Sequence, residues 1–234
     1  MGRFANHGDQ EGLVDALKKK KGTQFKLACL GALSSATVAF ECDAYVDIFR
    51  DILLDAMRRA EPEAANREDS SDEPERIHLP ALPSVTCLTH MVRHTCLGID
   101  DEALVEETGR LLGPGFAWTI RLGALDLVDA MITRGSSAAE TCGSVARLLK
   151  LSLSTASEGR YSKMRMAMLR VVESTSRRLG DASFGKSMLT SEPELAPAVI
   201  STLVQLQGDR VPEVSASASE KLKDFQARLD ALET

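Results

Sequence analysis

Residues Gly208 to Phe225 read GDRVPEVSASASEKLKDF. A turn comes first, then Pro212 at a first helical position, then Val214, a run of small residues, and Leu222. Proline suits the first turn of a helix because its missing N–H would have no partner there anyway. Fainter versions of the same opening occur upstream: QFKLACLGAL from Gln24, TIRLGALDLV from Thr119 and KMRMAMLRVV from Lys163. One helix opening that recurs along a chain is the signature of stacked helical repeats. Such stacks present surfaces for binding more often than they catalyse reactions.

Aligned on the apolar residue and its successor, the openings are Phe25-Lys26, Ile120-Arg121, Met164-Arg165 and Val214-Ser215. The steps between them are 95, 44 and 50 residues. Two of these fit a two-helix unit of roughly 40–47 residues with variable loops. The first is about twice as long and leaves room for one more unit, whose helices are expected over Tyr45 to Ala60 and Ser84 to Leu97.

The pattern resembles the HEAT and armadillo repeat family. There, the first helix of a unit leads through a short turn into a second helix that opens with a Val-Arg-like pair, then small residues, then Ala-Leu. Asp209, Pro212, Val214, Ala218 and Leu222 match best. Ile120, Arg121, Ala124 and Leu125 match in part, as do Met164, Arg165, Ala167 and Leu169. Ser215 replaces the usual basic residue, and Phe25 and Met164 replace valine. The resemblance covers most of the chain after residue 22. It implies an all-α fold, an α-α superhelix (a HEAT/ARM-like solenoid) of about four to five helix pairs. It also implies a non-catalytic scaffold or adaptor that binds protein within a larger assembly, of the transport-receptor, phosphatase-scaffold or proteasome-scaffold type. No catalytic, cofactor or metal residue comes with it. The weakly patterned start is read as one sign of a piece of a longer solenoid.

Composition agrees with helix-on-helix packing. Hydrophobic residues are 44% of the 234 and aromatics only 4%, so the core must be built from Leu, Ala, Val, Ile and Met rather than the residues a sheet sandwich favours. The net charge of −6 argues against nucleic acid as the main partner, since phosphates need a positive field. The exception is the run Lys18 to Lys21, read as the solvated C-terminal end of a short helix that Gly22 stops. A helical nucleic-acid-binding domain using that run is kept as an alternative. Five cysteines at 29, 42, 87, 96 and 142 form no CxxC pair and point to a reducing compartment, cytoplasmic or nuclear. No apolar run reaches membrane-spanning length, so no membrane partner is expected, and the opening residues MGRFANHGDQEG are too polar for a secretory signal.

Along the chain, residues 1–22 form an N-terminal segment with a short helix from Gly12 to Lys21. Residues 23–234 form the repeat domain. Helices are expected over 25–40, 44–60, 84–97, 102–112, 118–134, about 136–153, 161–179, 194–207 and 213–232. Residues 180–192 read as irregular. Residues 61–78, EPEAANREDSSDEPERIH, carry seven acidic side chains and two prolines and read as a disordered insertion, with Ser70 and Ser71 as candidate phosphorylation sites. The last helix reads as a cap on the stack or as a seam for a partner, and we take the cap.

One cluster has metal-ligand character. Cys87, His90 and His94 fall at i, i+3 and i+7 of one helix, with Cys96 nearby, and would need a fourth ligand from elsewhere to hold zinc. That helix supplies the alternative reading of a metal-binding or enzymatic module. The simpler account packs Cys87 inward and leaves the imidazoles at the rim. Gly113-Pro114-Gly115 lacks the Lys-Ser/Thr of a phosphate loop, and no GxSxG elbow occurs. Glu106 and Glu107 read as solvated. Asp126 and Asp129 share a helix face that could meet a basic partner, although plain surface exposure is the default. Lys163, Arg165, Arg170, Arg177 and Arg178 could form a positive strip, although a charged outer face is the default.

Overall fold

The computed structural model describes residues 43–58, 60, 81–94, 97–135, 139–157 and 161–233. Among them are nine α-helices and no strand. They are α1 (Asp43–Arg58), α2 (Ala81–His94), α3 (Glu102–Leu111), α4 (Trp118–Arg134), α5 (Cys142–Ser157), α6 (Ser162–Leu179), α7 (Ala182–Ser191), α8 (Leu195–Gln207) and α9 (Pro212–Glu233). A 3-10 turn, Ala139–Thr141, leads into α5. None of the described helices is long and apolar enough to cross a membrane. The helices expected over 12–21 and 25–40, the Lys18 to Lys21 run, Cys29, Cys42 and Cys96, and the acidic stretch 61–78 with Ser70 and Ser71 lie outside the described residues.

The helices pack in two files. In one, α2 lies against α4, α4 against α6, and α6 against α9. In the other, α1 lies against α3, α3 against α5, and α5 against α8. The files are joined by the hairpin partners α1 and α2, α3 and α4, α5 and α6, and α8 and α9. The short α7 touches α5, α6 and α9.

The recurring opening explains the first file. In α4 the positions Ile120, Ala124, Val128 and Met131 lie in the core or against it. Met164, Met168, Val172 and Thr175 in α6, and Val214, Ala218, Leu222 and Phe225 in α9, repeat the same spacing and are all buried. Steps of four, four and three keep these side chains on one face of a 3.6-residue helix. Thr175 satisfies its hydroxyl by donating to the Val171 carbonyl at 2.9 Å. Helix α6 is buried on several sides because it has neighbours on both flanks, whereas α9 buries one stripe and turns Glu213, Glu220, Lys223 and Asp230 to solvent.

The residue after each opening also has a repeated task. Arg121, 9% exposed, donates from Nε to the Leu112 carbonyl at the end of α3, 3.2 Å away. Ser215 donates to the Gln207 carbonyl at the end of α8, at 2.6 Å. Both cover orphan carbonyls at the end of the preceding helix. Arg165 instead reaches forward to the turn before α9, where its Nε lies 2.6 Å from Asp209 Oδ2.

Three expectations need correction. Residues 182–191, expected to be irregular, form α7: Asp181 caps it by accepting from the Ser183 and Phe184 N–H groups. The helix expected from Ser84 to Leu97 runs instead from Ala81 to His94, with Pro83 inside its first turn, where a missing N–H costs no helical bond. The helix expected to end at about Leu153 extends to Ser157, behind the 3-10 turn Ala139–Thr141, while its expected start at Ser136 or Ser137 lies outside the described residues.

Candidate binding surface

A cleft lies between α3 and α5 on the second file. Glu106, Glu107, Gly109 and Arg110 line it from α3, and Gly143, Arg147, Lys150 and Leu151 from α5. Glu192, between α7 and α8, completes the lining, and the cavity holds about 770 Å³. Gly109 lets the walls close at the floor: a Cβ there would sit 3.1 Å from Leu151 Cδ1. Such a cleft is large enough for several side chains of an extended peptide.

Its charges are partly committed. Arg110 donates from Nε to Glu107 Oε2 at 2.9 Å and from Nη1 to the Ala60 carbonyl at 3.1 Å, and also bonds the Met57 carbonyl. Its guanidinium stands over the Phe116 ring, 5.1 Å from the centroid. Arg58 Nε meets the other oxygen of Glu107 at 3.2 Å. Lys150 Nζ meets Glu192 Oε2 at 2.5 Å. Glu106 on one wall and Arg147 on the other are exposed and join no ion pair among the described residues. Among the described residues the cleft therefore offers one exposed, unpaired charge of each sign on opposite walls, above a floor containing Leu151.

A second surface feature joins the starts of α4 and α6. Trp118 and Tyr161 stack with ring centroids 4.6 Å apart and planes 24° from parallel. Tyr161 is 47% exposed, one of two large hydrophobic side chains so exposed among the described residues.

The residues singled out from sequence fall elsewhere. Cys87 packs in the core, and burial pushes its thiol up to about 12. His90 and His94 stack on each other at 5.4 Å on the rim. No group of three or more His, Cys, Asp or Glu able to hold a metal occurs among the described residues. A metal ligand must be deprotonated, and a core thiol so hard to ionise is poorly suited to that. Asp126 and Asp129 are not free for a basic partner: Asp126 pairs with Arg170 at 2.6 Å and Asp129 accepts from Ser174 at 2.5 Å.

Of the positive strip on α6, Lys163 is exposed, and the four arginines are engaged within the protein. Arg165 is buried against Asp209, Arg170 meets Asp126, and Arg177 bonds Glu173. Arg178 stacks over Phe184, 4.1 Å from the ring centroid, and donates to Thr141 Oγ1 at 3.0 Å. Burial draws the Arg178 guanidinium below its ordinary value, against the opposing pull of Cys142 and Asp181. Arg170 ties α6 to α4, Arg165 ties it to the turn before α9, Arg178 ties it to α7 and the 3-10 turn, and Arg177 stays within α6, so much of the charge that looks spare in the sequence is spent on packing.

Arg147, Lys150 and Glu192 were not singled out from sequence. The available signal was the i, i+3 pair of cations flanking Leu148 and Leu149, which marks the solvent side of a helix and nothing more specific. No protein-family model and no curated protein matches the chain.

Proposed function

We propose that this chain is part of a HEAT/armadillo-type α-solenoid that binds another protein without catalysing a reaction, as a scaffold or adaptor in a larger assembly. The observation that carries this reading is the succession of contacts α2–α4–α6–α9 and α1–α3–α5–α8, in which each hairpin leans on the next. The recurrent four-four-three spacing and the polar links between helices of one file add support. A stack of this kind exposes grooves between adjacent helices, and the α3–α5 cleft is the one we assign to the partner. Its exposed Glu106 and Arg147, of opposite sign on opposite walls, suit an extended segment carrying both charge signs. On the same reading the protein works in the cytosol or nucleus.

Affinity capture from a native extract tests this. Wild-type chain should retain a partner in stoichiometric amount, and the R147E/K150E variant should retain at least about tenfold less of it. Equal recovery on both, or none on either, contradicts the assignment.

A further inference from the structure

We infer that the outer face of α8 is a self-association surface, on which a second copy of this chain docks its own α8 antiparallel across a two-fold axis. This goes beyond the protein-binding reading and does not rest on it. Helix α8 reads LAPAVISTLVQLQ and contains no ionisable side chain, whereas every other described α-helix contains at least one. It buries Leu195, Val199, Leu203 and Leu206 against the molecule. Its opposite face exposes Pro197, Ala198, Ser201, Val204 and Gln205, and Val204 is 51% exposed.

The pattern on that face is symmetric about Ser201. Val204 and Ala198 lie three positions to either side, and Gln205 and Pro197 four. An antiparallel pair centred on Ser201 sets Val204 of each copy opposite Ala198 of the other. A larger side chain then faces a smaller one twice over, which is how helix surfaces interlock. An isologous contact also brings like groups together near its axis, so a face free of charge avoids the repulsion that a charged one would meet. The nearest exposed charges beyond the helix are opposite in sign at the two ends: Glu194 before it and Arg210 after it. Antiparallel docking sets each Arg210 toward the other copy's Glu194, whereas parallel docking would oppose like charges. Residues 197–205 span only about 12 Å of helix at 1.5 Å per residue, well under a standard interface, so the dimer is weak and reversible.

Sedimentation velocity of the full chain from about 1 µM to about 1 mM reads the association directly. The weight-average mass should rise with concentration toward twice that of one chain. V204K and A198E should each hold it at one chain, because each sets an unpaired charge against an apolar residue of the other copy. The double variant V204K/A198E should restore the rise, since the introduced ammonium of each copy then faces the introduced carboxylate of the other across the axis. Both substituted positions are exposed, and circular dichroism checks that the helices persist in all three variants. A single-chain mass at every concentration, association unaffected by either single change, or a double variant that stays monomeric would each overturn the inference.

Discussion

Arg165 and Asp209 show most clearly how single residues hold neighbouring hairpins together. Both side chains are 8% exposed. Burial by itself would raise the Asp209 carboxyl, but the Val211 N–H, the Arg165 hydrogen bond and the charges of Arg165 and Arg210 hold it below its ordinary value. Asp209→Ala removes the buried carboxylate partner of Arg165 and should cost about 3–5 kcal/mol in urea unfolding. The same depressed carboxyl contributes stability that is present above its unfolded-state value near pH 3.9 and is lost as pH falls through the lower folded value. Glu173, lowered chiefly by its hydrogen bond to Lys221, and Asp224, lowered chiefly by its bond from Ser176, have the same sign. Stability should therefore drop on acidification below about pH 4, and Asp209→Asn should flatten part of that slope. An unchanged slope in the variant would remove Asp209 from the account. Cys87 gives a separate check. With its thiol pushed up to about 12 inside the core, its alkylation at neutral pH, followed peptide by peptide, should proceed only as fast as the protein opens.

At the scale of elements, most described helices were legible in the sequence, the ten-residue α3 included, and the equally short α7 was not. The expected bounds of α4 match those observed, because its apolar residues recur over seventeen positions. Helix α7 was missed because it buries only Phe184, Gly185 and Met188, too few positions for a period to emerge. What holds it is tertiary. Phe184 is fully buried beneath Arg178, and a Cβ on Gly185 would come within 2.6 Å of Leu232 Cδ1 and 3.1 Å of the Leu179 carbonyl. Phe184→Ala should cost about 3–5 kcal/mol. Gly185→Ala, though it raises helix propensity, should destabilise by about 1–3 kcal/mol, because the backbone carbonyl cannot yield as the leucine can. Thermal melts of the two variants check both, and a stabilised Gly185→Ala would show that α7 sits more loosely on α9 than described.

For the whole molecule, the all-helical class was legible from the scarcity of aromatics and the repeated opening, and the buried face of α9 from its spacing. The cleft was not, because Glu107, Arg147 and Glu192 come from three separate stretches, and which charges stay free depends on pairings such as Lys150 with Glu192. The aspartates of α4 and arginines of α6 were read by default as a charged outer face, and what one-by-one reading left out is their pairing, as in Asp126 with Arg170 and Arg165 with Asp209. The buried residues form one continuous cluster from Leu53 in α1 to Leu232 in α9, and on the proposed solenoid reading stability passes along it from hairpin to neighbouring hairpin. Residue-resolved hydrogen exchange on wild type and Phe225→Ala tests this most directly. Protection should fall in α8 and α9, less in the adjoining α5, α6 and α7, and remain at its wild-type level in α2 and α4. An equal loss of protection in every helix would contradict the account.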